Sequence, residues 1–318
     1  MVTLKTTAKA ILEELQARGV EAEVVNAEAG LLRYRKGGEW RLLRSSTPDS
    51  SSFTGGYISD RKPLANDMAA SLGVPVPASC IVATDDLAPA LELLKQHLPL
   101  VVKPSDGAHG NGVTVGVATK EQLKAAVAKA KEHTIKGKVV VQEQVSGDDV
   151  RVLVIGSKTI AAAHRLPAKV IGDGKRTIRE LIMFENENDP DRGINYEKKL
   201  NNIDLAAAER FLGERLDQDI PGNGERVQVV GTANIGTGGE AHDVTDSVLS
   251  SPLAGYAEQL ATALRLDTAG VDFLWDQKTG DVHFIEINAC PSFGMHLMPV
   301  HGKPRNVAKD FVDFLLQN

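Results

Sequence analysis

The stretch that most constrains this chain is a glycine-rich loop set between two strands. Ser105-Asp-Gly-Ala-His-Gly-Asn-Gly112 follows the apolar run LPLVVKPS and leads straight into VTVGVA. Phosphate loops of the Walker and dinucleotide types need a helix directly after their glycines, because the helix N-terminus receives the anion. No helical period follows Gly112, so both types are excluded. Glycines between antiparallel strands can still fold over phosphates, since a backbone without side chains lets several N–H groups converge on one anion. Spacing alone equally permits a plain flexible hairpin. Lys103, on the preceding strand, is long enough to reach an anion held there.

A second stretch carries oxygen donors. AGVDFLW and VHFIEIN alternate apolar and polar residues, and QKTGD at 277 to 281 between them reads as a hairpin turn. Glu286 and Asn288 are two apart, so they leave the same face of their strand, and Asp272 can face them from the partner strand. Three such oxygens suit a hard cation such as Mg2+, which keeps few protein ligands and takes the rest from water and phosphates. The plainer alternative is a pair of core strands whose acids point to solvent.

The totals narrow the class. At 318 residues, with 42% hydrophobic and 25% charged residues, the chain reads as a soluble globular protein of about two domains. Apolar runs stay short of the roughly 18 residues a membrane-spanning helix needs. The N-terminal MVTLKTTAKAILEELQARG is amphipathic and mixed in charge, unlike a signal peptide, which predicts a cytoplasmic protein. A net charge of -6 argues against a nucleic-acid surface. Cys80 and Cys290 sit in apolar contexts and read as small buried thiols.

In chain order, residues 5 to 19 have a helical period closed by Gly19, with VEAEVV as a strand after it. Residues 30 to 44 predict a hairpin turning at Lys36-Gly37-Gly38, and Ser45 to Gly56 reads as a linker or mobile edge. A helix closed by Gly73, a Pro-bounded extended segment, a helix at about 85 to 97 and another at about 120 to 133 frame the glycine loop. KVVVQEQVSGDDVRVLVIG gives two strands broken at Ser146-Gly147. Arg151, within a run of Val, Leu and Ile, needs a specific partner, and its fork of donors suits a carboxylate or phosphoryl group. Residues 184 to 226 form a long polar excursion with helical pieces at about 204 to 216, which reads as a functional loop. A helix over SPLAGYAEQLATALRL feeds the oxygen-donor strands, and a last helix spans about 305 to 316.

Over roughly residues 60 to 318 these motifs resemble the ATP-grasp ligases. They are Lys62 with GVPVP eleven residues on, VVKPSDGAHGNGV, QEQVSGDDVRVLVIG, RLPAKVIGDGKRTIREL, DPDRGINYE, TANIGTGGEAHDVTD, AGVDF and EINACPSFGMHLMPVHGKPRNVA. The likeness is greatest to the ATP-grasp module of cyanophycin synthetases, then to the fused bacterial glutathione-synthesising enzymes, whose lead-in residues 1 to 60 also resemble. It implies an α+β ATP-grasp fold, two lobes clasping ATP beside a small N-terminal α/β portion. The implied segments are 1–72 for the N-terminal region, 73–147 for the lid subdomain, and 148–318 for the catalytic subdomain with its insertion at about 184–226.

The resemblance also implies roles. Lys62 and Lys103 match the lysines that hold the ATP phosphates, and Gly107, His109, Gly110 and Gly112 lie in the loop that closes over them. Glu143 and Val145 match the adenine hinge, and Asp149 the acid that holds the ribose hydroxyls. Asp272, Glu286 and Asn288 match the ligands of Mg2+ or Mn2+. Arg151, Arg165 and Asn234 sit where relatives contact the acyl phosphate. Ala65-Asn66 replaces a Thr-Lys pair of relatives, and Gly294 replaces the arginine that cyanophycin synthetases carry before Met-His.

The chemistry implied is amide formation between a carboxylate and an amine, driven by ATP through an acyl phosphate, on an amino acid or short peptide. The Mur-ligase-like domain of cyanophycin synthetases and the glutamate–cysteine ligase region of the fused enzymes do not occur in the 318 residues, so one ligation is expected. Relatives commonly form homo-oligomers. Two rivals stay open: an ATP-binding pseudo-enzyme, and a phosphotransferase that stops at a phosphorylated product.

Overall fold

The period of Ala8, Ile11 and Leu15 becomes the helix Thr6–Ala17, and all three side chains are buried. They pack with Leu32, Tyr34 and Leu43 and with Phe311, Val312 and Leu315 of the helix Val307–Gln317 in one apolar cluster. The computed structural model describes residues 4–83, 86–106, 112–135, 137–194 and 198–317.

The expected hairpin is present: Leu31–Lys36 and Glu39–Arg44 pair antiparallel, with Lys36 opposite Glu39. Ala22–Asn26 and Thr47–Pro48 complete a four-stranded sheet. Of the Ser/Thr-rich stretch from 45, the first part is packed rather than mobile, and the passage from one compact unit to the other falls within the stretch, between Ser52 and Phe53. Ser46 is fully buried, and its hydroxyl donates to Pro291 O at 2.7 Å. Thr47 Oγ1 donates to Ala289 O (2.8 Å) and Ser50 Oγ to Asp267 Oδ2 (2.6 Å). Short hydroxyls here serve backbone and carboxylate acceptors distant in sequence.

Contacts group the chain into two units. The first comprises Met1–Ser52, Asp149–Gly270 and Ala289–Asn318, and the second Phe53–Asp148 and Val271–Asn288. This differs from the three consecutive segments expected above. The first helix and its sheet find their apolar partner surface on the helix Val307–Gln317, so residues 1–52 belong with chain distant in sequence.

In the first unit, Glu240–Asp243, Lys158–Leu166 and Asp148–Ile155 lie side by side in that order as an antiparallel sheet. Arg165 is opposite Asp149 and Ala163 opposite Arg151, so both arginines and Asp149 share one face. The polar excursion of 184–226 contributes to a small core shared with the residues on either side of it. Ile178, Leu181 and Ile182 of Ile178–Asn188 pack with Ala208, Leu212, Leu216 and Val229. Thr177 and Glu180 form a reciprocal capping box at the start of that helix.

In the second unit the strands Ser79–Val82, Val139–Glu143, Leu100–Pro104 and Thr114–Val117 form an antiparallel sheet in that order. Ala88–Gln96 and Lys120–Glu132 cover it through Leu93, Leu94, Leu123, Ala126 and Val127. The helix Lys62–Ser71 and the hairpin of Thr268–Trp275 with Val282–Asn288 also belong here. Phe273 and Phe284 are fully buried in the hairpin, edge to face at 6.2 Å. Both cysteines are free, but Cys290 is exposed rather than buried as expected, because its strand has ended two residues earlier. Among the described residues no helix is long and apolar enough to cross a membrane.

Candidate active site

Two lysines define the centre of the second unit. Lys62 opens its helix with Pro63 behind it, and its Nζ donates to Glu286 Oε2 at 2.9 Å. Lys103 Nζ donates to the amide oxygen of Gln142 at 2.7 Å. Among the described residues Lys103 has no carboxylate partner. Enclosure of its ammonium, and secondly the charge of Lys62, lower its pKa from 10.5 to about 8, against an opposing pull from Glu286.

Of the glycine loop, Gly107, His109 and Gly110 lie outside the described residues. Gly112 has φ +72, and a Cβ there would stand 2.8 Å from His133 Cβ and 3.0 Å from Pro104 Cγ. Only glycine suits such a position.

The hinge residues follow the strand Val139–Glu143. Glu143 N–H donates to Ala78 O (2.8 Å), and its Oε1 lies 3.3 Å from His97 Nδ1. Gln144 N–H donates to Pro99 O (3.0 Å), while its side-chain oxygen accepts from Gly116 N–H at 2.7 Å. Val145 follows directly, with its backbone beyond the strand end.

The oxygen donors fall on the hairpin as expected. Asp272 lies on one strand, 2% exposed, and Glu286 and Asn288 on its hydrogen-bonded neighbour. Asn288 Nδ2 is 3.4 Å from Glu286 Oε1, so those two side chains share a face. The donor set is all oxygen, and Glu286 already attracts a cation in the form of Lys62. Both observations fit a hard divalent ion.

The remaining predicted residues belong to the first unit. Arg165 Nε and Nη2 both contact Asp149 Oδ1, at 2.7 and 2.6 Å. Residues assigned separately to phosphate and ribose are thus paired with each other. Arg151 has its side chain over Gly270, where a Cβ would meet Arg151 Cδ at 3.5 Å. Asn234 caps a short 3-10 turn, its Oδ1 accepting from Gly236 N–H at 2.8 Å.

Sequence reasoning missed two groups. Gln142 has no role in the motifs beyond its place in QEQVSGDDVRVLVIG. His296, 2% exposed, was given no role. Its Nε2 has no hydrogen-bond partner among the described residues. Burial, and then the charge of Arg151, lower its pKa to about 3. The signal available for both was a polar residue inside an apolar or turn motif, which alone names no partner.

Residues 59–171 match the family model of the RimK-like ATP-grasp domain. The chain carries a RimK-like ATP-grasp domain. This ATP-grasp chain is 33% identical over 325 residues to the cyanophycin synthetase of Trichormus variabilis, covering 99% of the chain and 35% of that protein. It is 27% identical over 323 residues to the glutathione biosynthesis bifunctional protein of Listeria innocua, covering 99% of the chain and 42% of that protein. Among solved structures, the bifunctional glutathione synthetase of Pasteurella multocida superposes with a TM-score of 0.71 at 25% identity, over 99% of this chain and 44% of that one. The ATP-grasp chain therefore spans about a third of the length of the cyanophycin synthetase it matches. These likenesses bear out the α+β ATP-grasp fold expected from the motifs.

Proposed function

We propose that the chain is an ATP-dependent carboxylate–amine ligase acting on an amino acid or short peptide through an acyl phosphate. The observation that carries this reading is Lys103: an enclosed ammonium with an amide for a partner and, among the described residues, no carboxylate, beside a second lysine. Such a cation is poised for an anion from outside the chain. The match to the RimK-like ATP-grasp domain supports the triphosphate of ATP as that anion.

A substrate carboxylate oxygen attacks the γ-phosphorus, the bond to the bridging oxygen breaks, and ADP leaves. An amine then attacks the acyl carbon, phosphate departs, and the amine loses a proton as the amide forms. Carboxylate and triphosphate repel one another, so cations must surround the transferring group. Lys62 and Lys103 of the second unit supply two; Arg151 and Arg165 of the first unit each have the fork that suits phosphoryl oxygens. Asp272, Glu286 and Asn288 would hold a divalent cation, whose chemistry when bound is to neutralise charge on phosphate oxygens. Acyl phosphates hydrolyse in water, which gives residues 105 to 113 their proposed task of excluding solvent.

The test is release of ADP and phosphate from ATP in the presence of paired amino acids or dipeptides, with the condensed product sought by mass spectrometry. A ligase requires acid and amine together and yields a product lighter by one water than their sum. Phosphorylated acid without phosphate release would make the chain a phosphotransferase instead.

A further inference from the structure

We infer that Gln142 is a positioning residue for phosphate binding: its amide oxygen aims the Lys103 ammonium without neutralising it. The inference rests on the reading of Lys103 as a phosphate-binding group. Gln142 is 4% exposed, on the strand Val139–Glu143 beside the strand that bears Lys103. Val101 is opposite Gln142 and Lys103 opposite Val140, so Gln142 and Lys103 are diagonal neighbours on one face, within reach of long side chains. The contact is 2.7 Å.

Lysine has three donors and no acceptor, so the carbonyl end of the Gln142 amide must face it. One N–H is thereby fixed and two are left to point elsewhere. A carboxylate in this place would fix the ammonium too, but it would cancel the charge and compete with phosphate. The neighbouring cation shows the contrast, since Lys62 is held by the Glu286 carboxylate. Of the two lysines, Lys103 therefore keeps a net positive charge for a ligand. Its lowered pKa, caused by enclosure and by Lys62, agrees with a cation that the protein orients but leaves uncompensated.

The experiment measures MgADP and adenosine affinities by calorimetry for the full chain, Gln142→Met, Gln142→Glu, Lys103→Met and the double variant Gln142→Met/Lys103→Met. Gln142→Met should weaken MgADP by about tenfold, the loss of one hydrogen bond to a charged group, and leave adenosine affinity unchanged. Adding it to Lys103→Met should cost nothing further, the signature of a residue acting through that lysine. Gln142→Glu keeps an acceptor in place but cancels the ammonium charge, and should lose at least as much MgADP affinity as Gln142→Met. Equal losses for adenosine and MgADP would overturn the inference in favour of a wall of the adenine site. So would independent losses in the double variant, or a Glu variant that binds MgADP as tightly as the unaltered chain. If the unaltered chain binds neither ligand, the nucleotide reading fails first, and the inference with it.

Discussion

Lys62 and Glu286 are 224 positions apart in the chain, yet Nζ of one donates to Oε2 of the other across 2.9 Å. A residue proposed to hold phosphate and one proposed to hold metal thus compete for a single contact. Asp272→Asn and Glu286→Gln should each lower ATP turnover by about a hundredfold or more, the scale for groups that stabilise transition-state charge. Circular dichroism should stay unchanged. ADP release at a normal rate from either folded variant would remove these residues from the site.

Lys103→Met should separate stability from function. Replacing an enclosed cation by an apolar chain of similar length should raise stability by about 1 kcal/mol, read from denaturant unfolding. MgADP affinity should fall in the same variant. A less stable Lys103→Met protein would mean that the bond to Gln142 outweighs the cost of enclosing the charge.

The lowered pKa of Lys103 gives a pH dependence with a defined sign. The folded chain releases this proton at about 8, whereas the unfolded chain keeps it to 10.5. Between those values the unfolded state binds more protons, so this group's contribution to stability grows as pH rises. The charge available to phosphate is lost over the same range. MgADP affinity should therefore decline above pH 8, and Lys103→Arg, which stays charged, should flatten the decline. A profile identical in both proteins would exclude Lys103 as its source.

His296 acts at the acid end. Its imidazole is neutral in the folded chain down to about pH 3, while the unfolded chain takes up a proton near 6.5. Below pH 6.5 the unfolded state binds more protons, and stability falls by up to about 1.4 kcal/mol per pH unit. His296→Gln should lessen that acid sensitivity, measured as the change in unfolding midpoint between pH 7 and 5 against the parent chain. Equal pH slopes would show that carboxylates alone set the acid limit.

Gly112→Ala should cost about 1 to 3 kcal/mol, as expected for a side chain forced to positive φ. The new methyl would also press on His133 Cβ and Pro104 Cγ. Thermal unfolding reads the loss, and an unchanged midpoint would mean that this end of the loop rearranges freely.

What the sequence revealed was local. The glycine loop between strands and the Asp272 hairpin were legible because turn residues and alternation fix a strand's faces within a few positions. Partners were not legible. Glu286 could be assigned to a face of its strand but not to Lys62, and nothing in the sequence set Gln142 beside Lys103 on the adjoining strand. The polar excursion hid its part in a core because Ala208, Leu212 and Leu216 lie scattered among charged residues and meet Ile178 and Leu181, which precede it, only in the fold. Ser46 and Thr47 looked mobile because hydroxyls predict loops, while their acceptors, Pro291 and Ala289, are more than two hundred residues away.

The second unit draws its strands from Phe53–Asp148 and from Val271–Asn288. During synthesis, both lysines leave the ribosome long before the hairpin that carries Glu286 and Asp272. A nascent chain halted between residues 148 and 271 would carry the lysine-bearing part of this unit with the Asp272 and Glu286 hairpin still untranslated. A gene fragment ending at Asp148 would inherit the same defect, so excision of this unit requires grafting 271–288 back by a linker.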